Sequence, residues 1–419
     1  MLSDTHNYKF AKHYHCTLTI VAIFIILFSL LTMLSSALNT GKINVARASN
    51  VKQVSMSVGD SDIQENVDKQ LGEIDFSNLD SDLSSLGNLE LDSIGASSFI
   101  EIVKKFLSGE NGEYYNNFFS YAVNILFKNL LSYIPFFAII IALSIAFSLM
   151  GHFGGDKSSI STTLHIILFC TISAIILKLV SSLISGASSG INSMQLQLEA
   201  IFPILLTLIT AIGSSATATT FQPMLAIFSS SISKLFSYLL IPLFIFSIVF
   251  SVIGNLSKNI KLEKFSKFFS SFYGYTIGVV FTIFMAFLTI HGLNVATIDS
   301  ISLKTAKFAI KSYVPMLGGY LSDGISIILA SSMLIKNAIG VSGLVLMLFK
   351  IFSPIINIIL VILLLRLSSA ILEPICDKEV PDFLYSVSKS LVMIIVAILA
   401  VGLMYVISIS ILLSCSNLF

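Results

Sequence analysis

The residues able to do chemistry are few in this sequence, and they are scattered. There are six histidines. His6, His13 and His15 fall near the start, while His152, His165 and His291 stand alone. None sits in an HExxH pattern or at metal-ligand spacing from another candidate donor. Cys16, Cys170, Cys376 and Cys415 include no CxxC pair, which argues against a zinc site or a disulfide framework. The string GASSG (186–190) matches GxSxG by letter but lies in apolar sequence without the strand-to-helix turn of a nucleophile elbow, and there is no glycine-rich phosphate loop. A solitary histidine near a membrane surface is more often a structural hydrogen-bonding group than a ligand. The sequence thus offers no anchor for catalysis, a metal or a cofactor, and supports a non-enzymatic role.

The elements that must position any functional group are apolar. Of the 419 residues, 55% are hydrophobic and 11% charged, against about 25% charged in soluble domains, and the mean hydropathy is +0.92. Apolar runs of bilayer length, about 20 residues each, recur from Leu126 onward. The fold class is all-α, a polytopic helical membrane protein. The net charge of +1 gives no electrostatic reason for a nucleic-acid partner.

Three regions follow one another. Residues 1–48 read as a signal peptide or signal anchor: Lys9 and Lys12 precede an apolar stretch from Leu18 to Leu34, with exits at Ser35-Ser36-Ala37 and Ala46-Arg47-Ala48. Residues 49–116 form a small exported acidic segment, with ten acidic residues from Asp60 to Asp92 against Lys52 and Lys69. That composition favours a mobile or conditionally folded linker, although its sparse leucines could dock a partner. At its end Phe99, Val103 and Phe106 share a face opposite Glu101, Lys104 and Lys105, the pattern of a helix lying on membrane lipid. Residues 117–419 form a multi-pass domain, with spans expected near 128–150, 159–183, 235–256, 268–291, 324–349, 350–371 and 387–414. Between Pro203 and Pro223, IGSSATATT is too small and hydroxylated to face lipid, so 201–232 reads as a re-entrant hairpin. Lysine bias places the loop 257–267 inside and leaves the acidic loop 373–382 outside.

These spans contain no Asp or Glu; Glu199 and Glu373 lie at edges. Proton-coupled transport and intramembrane aspartyl proteolysis need carboxylates at depth, so both are disfavoured. The polar residues that enter spans include Lys178, Lys336, Asn337, Asn357 and Arg366. A central cation costs about 2.5–3.5 kcal/mol on insertion scales. Lys336, the most central, is therefore expected to face protein or water, whereas snorkelling accounts for Lys178 and Arg366. Gly186/Gly190 and Gly274/Gly278 have the GxxxG spacing of close helix contacts.

One stretch departs from this apolar pattern. In KTAKFAIKSYVPMLGGYLSDG, Lys304, Lys307 and Lys311 lie along one helical stripe. Pro315 removes a backbone donor, Gly318 and Gly319 loosen the chain, and Asp323 follows at the mouth of the next span. The reading is a surface helix hinged to a membrane helix, with the lysines meeting a partner or lipid headgroups, since they fall on the side where lysine bias does not place them.

That stretch, followed by MLIKNAIGVSGL (333–344) and AILEPICDK (370–378), resembles the stage III sporulation protein AE family. The likeness is dense over 200–415 and includes the loop residues Glu373, Pro374 and Asp377. It implies a component of a secretion-like channel complex between mother cell and forespore, in the mother-cell membrane around the forespore. Implied partners are a secretion-type ATPase, small membrane proteins and ring-forming proteins; no catalytic residues are implied. The competing reading is a stand-alone permease for an anionic solute with Lys336 in its pathway.

Overall fold

The computed structural model describes residues 60–84, 95–108, 112–153, 159–256, 262–313, 318–376 and 378–414, and all its regular structure is helical. The expected export signal at 1–48, Cys16, Pro315 and Asp377 lie outside the described residues. Among the described residues three short helices come first: α1 (Asp60–Glu73), α2 (Ser77–Ser84) and α3 (Phe99–Ser108). The long helices follow as α4 (Gly112–Phe153), α5 (Ser159–Ala211), α6 (Ser215–Leu235), α7 (Ile241–Leu256), α8 (Glu263–Tyr313), α9 (Gly318–Leu372) and α10 (Glu379–Ser414). A π-helical turn, Phe236–Leu240, joins α6 to α7 without a break, with the Ile241 N–H reaching back to the Phe236 carbonyl. Pro242 follows immediately and has no N–H to donate, so a widened turn at this point meets a local backbone need.

Six helical stretches are long and apolar enough to cross a membrane, among the described residues. This replaces the expected seven spans plus hairpin. Segments 324–349 and 350–371 are two parts of the single 55-residue helix α9. Residues 201–232 are the end of α5, a turn at Ile212–Ser214 and the start of α6. Gly213 holds that turn at φ 89°, a left-handed conformation suited to glycine.

Side-chain contacts fix the helix directions. Asn129 Nδ2 meets Asn357 Oδ1 at 2.6 Å and Ser148 Oγ meets the Ile375 carbonyl at 2.6 Å, so α4 runs parallel to α9. Gln197 Nε2 donates to the Gly343 carbonyl at 2.7 Å, and the Lys350 ammonium approaches the Ser193 carbonyl, so α5 is antiparallel to α9. Ser369 Oγ on the Pro381 carbonyl makes α10 antiparallel too. Ser266 Oγ donates to the Ser247 carbonyl at 3.0 Å, closing α7 and α8 into a hairpin, and Tyr273 OH on the Met393 carbonyl ties α8 to α10.

These directions put the ends of α4, α7 and α9 and the starts of α5, α8 and α10 at one end of the bundle. The α5–α6 turn, the end of α8, the start of α9 and α1–α3 lie toward the other. The loops 257–267 and 373–382 therefore share an end, which corrects their expected placement on opposite sides. The even number of long helices is the reason: joining 324–349 to 350–371 removes one crossing.

At 1.5 Å per residue α9 is about 80 Å long, against a hydrocarbon core of about 30 Å. Only part of it can face lipid. Leu363, Leu367 and Ile371 near its C-terminal end are exposed, as are Phe265, Phe268 and Phe272 at the start of α8. The segment from Ser331 to Ile351 is almost wholly enclosed by protein. On one side it is covered by α1, whose outward Glu65, Asp68, Lys69 and Glu73 are exposed. A face so charged does not belong in hydrocarbon. That half of α9 is the core of the helical body, with a charged helix over one side.

Of the four glycines at GxxxG spacing, only Gly190 lies at a close helix approach. A Cβ at Gly186, Gly274 or Gly278 would meet nothing within 4 Å, and at Gly190 it would touch Pro354 Cγ at 3.2 Å. The tight sites are Gly340 against Leu413, Gly343 against Ile201 and Gly402 against Ile351.

Two predictions follow from these positions. Gly402→Val should lower thermal stability in detergent by about 1–3 kcal/mol through overpacking. Gly274→Ala should be neutral or stabilising by up to about 1 kcal/mol through helix propensity; equal losses at both would remove the packing argument. For topology, single cysteines at Lys264 and Pro374, in a chain whose own cysteines are serine, should react with an impermeant maleimide from the same side. A cysteine at Ser108 should react from the opposite side. If position 374 labels with 108 instead, the six-helix arrangement is wrong.

Candidate functional site

The polar groups of the bundle gather along α9. Lys336, Gly343, Lys350 and Asn357 are spaced seven residues apart, and seven residues is close to two helical turns. Each is met by a different element. Lys336 is fully buried and its ammonium donates to the Leu413 carbonyl at 2.9 Å. That carbonyl is among the last of α10 as described, where a cation complements the helix dipole. The Gly343 carbonyl takes Gln197 of α5. Asn357 takes Asn129 of α4.

Lys350 is 5% exposed and forms an ion pair with Asp82 of α2. The carboxylate thus comes from the acidic segment, far away in sequence. Asp80, on the same short helix, accepts the Phe99 N–H at 2.6 Å and so caps α3. Glu101 accepts the Ser97 N–H at 2.8 Å, which holds its carboxyl below the usual range, with Lys105 adding a weaker attraction. Gln70 of α1 accepts the Ser332 hydroxyl at 2.9 Å. Leu79 and Leu83 are buried beneath α2, and Phe76 packs on Phe99.

Residues 60–84 and 95–108 are therefore a folded sheath on α9 and α5, where a linker was the expectation. Phe99, Ile102, Val103 and Phe106 are buried against α9 and α2, which corrects the reading of this helix as one lying on lipid. An amphipathic stripe specifies only that its apolar face must be covered, and here protein covers it.

The other residues singled out from the sequence are dispersed. Lys304, Lys307 and Lys311 belong to the last turns of α8, a continuation of the long helix where a separate surface helix was expected. Gly318 and Gly319 begin α9, and Asp323 lies on its second turn. Asn337 is half-buried beside Lys336. The Arg366 guanidinium lies 6.0 Å from the Tyr385 ring centroid. Glu373 and Pro374 are exposed in the turn after α9. Lys178 is exposed. No group of three or more His, Cys, Asp or Glu side chains that could hold a metal ion occurs among the described residues.

Lys350 and Asp82 were missed by sequence reasoning. Lys350 fell on the boundary drawn between two supposed spans, where a lysine looks like a loop residue. The available signal was a leucine-threaded acidic helix that needed a cationic, apolar counterpart.

This architecture, six long apolar helices with a polar stripe and a docked acidic segment, defines a multi-pass membrane protein. The profile of the family described as "Stage III sporulation protein AE" matches residues 97–416. The chain belongs to that family. The stage III sporulation protein AE of Bacillus subtilis strain 168 is 25% identical over 263 residues, 63% of this chain and 66% of the relative, so just under two thirds of that protein is spanned. No solved structure matches.

The ion pair yields a test. Lys350→Met alone should destabilise by about 3–5 kcal/mol, because it strands a largely buried carboxylate. Adding Asp82→Leu should recover most of that loss. Thermal melting and protease resistance of residues 60–108 would report both. A single-variant loss under about 1 kcal/mol, as for an exposed pair, would show that the sheath is held by other contacts.

Proposed function

We propose that the chain is an integral component of a secretion-like channel complex that joins mother cell and forespore, seated in the mother-cell membrane around the forespore. Family membership over residues 97–416 carries the reading, since that family is a sporulation protein. The six apolar helices supply the membrane embedding. In this reading α1–α3 lie outside the cytoplasm, between the two membranes, and the connections 154–158, 257–261 and 373–378 face the mother-cell cytoplasm. Partners are a secretion-type ATPase on the cytoplasmic side, together with small membrane proteins and ring-forming proteins. The role is that of a scaffold or conduit rather than a catalyst.

The permease alternative rested on Lys336. That lysine is enclosed by the bundle and occupied with the Leu413 carbonyl, so it offers an anion no approach.

Lys304, Lys307 and Lys311 sit at the end of the bundle that carries α1–α3, where they serve as a contact for a partner. Exposed charges contribute about 0–1 kcal/mol each, so single Lys→Ala changes should be mild. Replacing all three by Glu should sharply reduce spore yield and co-purification of the complex at unchanged membrane level. Normal sporulation with partners retained would reduce the stripe to a solvated face. A deletion strain that sporulates normally would overturn the functional reading itself.

A further inference from the structure

A cleft of about 420 Å³ opens between the end of α5 and the start of α6, outside the polar stripe described above. Glu199, Thr207, Thr210, Thr219 and Gln222 line it over an apolar floor that includes Phe202. The volume falls in the range of small-molecule sites.

Its hydrogen-bonding character is one-sided. A threonine hydroxyl has a single proton. Thr207 donates to the Pro203 carbonyl at 2.8 Å, Thr210 to the Leu206 carbonyl at 2.9 Å and Thr219 to the Ser215 carbonyl at 3.0 Å. With those protons turned back onto the helices, the three oxygens can only accept from a ligand. Glu199 is likewise an acceptor. Gln195 Nε2 at 2.8 Å and Ser229 Oγ at 3.3 Å both bond its Oε1, which orients the carboxylate and leaves Oε2 to a ligand. Only Gln222 brings donors of its own. A ligand that satisfies such a wall must be rich in N–H donors, positively charged and partly apolar.

We propose that this cleft binds an organic cation, an ammonium or guanidinium group on an apolar body, with Glu199 as counter-ion and the threonine oxygens as further acceptors. Two sources share that chemistry: a free amine, and a lysine or arginine side chain presented by another protein. The α5–α6 turn lies toward the end of the bundle that carries α1–α3, so ligand reaches it from that side.

The test uses the full chain purified in detergent, with binding measured by calorimetry. Phenethylamine should bind saturably, and 3-phenylpropanoate, similar in size but anionic, should not. Glu199→Gln should weaken the amine about tenfold or more, the usual consequence of losing a charge-assisted hydrogen bond. Glu373→Gln, on an exposed turn at the other end, should leave binding unchanged. Acetyl-Phe-Lys-amide and acetyl-Phe-norleucine-amide separate the sources. Binding confined to the lysine peptide assigns the cleft to a partner side chain, and binding confined to phenethylamine assigns it to a free solute. Failure of both cations, equal binding of the anion, or unchanged affinity in Glu199→Gln at an unchanged melting temperature would overturn the proposal. None of these outcomes depends on the sporulation role, which spore yield tests separately.

Discussion

Lys350 carries a charge into a place that water hardly reaches, and Asp82 is what makes that tolerable. Removing both ions from water costs several kcal/mol each, and their attraction returns little beyond that cost. The pair therefore adds little net stability while heavily penalising any arrangement that separates its members. Much of the segment 60–108 follows from this. With α2 pinned at Asp82, Asp80 on the same helix is brought to the first N–H of α3. Leu79 and Leu83 are pressed inward by the same docking. Gln70 then reaches Ser332, about 27 Å further along α9 at 1.5 Å per residue. One short ionic contact thus sets the register of three helices on a fourth.

The class of fold was legible from composition, because a chain with so few charges cannot surround itself with water. The family was legible from three phrases around 304–324, 333–344 and 370–378. The number of crossings was not. Hydropathy reports that a segment avoids water, and residues 331–351 avoid it by being enclosed in protein as completely as a span avoids it in lipid. Nothing inside 324–349 distinguishes the two cases. The distinguishing residues are Glu65, Asp68 and Glu73, some 260 positions earlier, whose exposed charges lie over that segment. A contact between such distant parts of a sequence leaves no local trace. The glycines failed for a related reason. GxxxG spacing marks a face that could accept a neighbour, but Gly274 and Gly278 have none within reach, while Gly402, in no such motif, lies under Ile351.

The candidate site was half legible for the same physical reasons. Lys336 stood out because a lone cation in an apolar run demands an explanation. Its partner is a backbone carbonyl, Leu413, which no reading of side-chain types could have named. Lys350 was hidden by its position next to Phe349 and Ile351, at the seam between two apparent spans. Asn357 stood out as a polar residue in a span, but its pairing with Asn129 depends on α4 running parallel to α9, a property of topology rather than of local sequence.

The seven-residue spacing on α9 explains how one helix organises so many neighbours. An α-helix has 3.6 residues per turn, so positions seven apart drift by about 20° per step, and the three steps from Lys336 to Asn357 turn through roughly 60°. Groups on such a stripe point in related but not identical directions. Lys336 meets α10, Gly343 meets α5, Lys350 meets α2 and Asn357 meets α4. A strictly repeated apolar seam would have bound one partner along its whole length. A slowly rotating polar stripe hands contact from one helix to the next. At Gly343 the missing side chain lets Ile201 come close beside the carbonyl that Gln197 bonds. Each contact is specific in geometry because an unmet polar group in that interior costs about 1–3 kcal/mol. The helices around α9 are therefore held at fixed heights along it, which apolar packing alone, being non-directional, would not achieve.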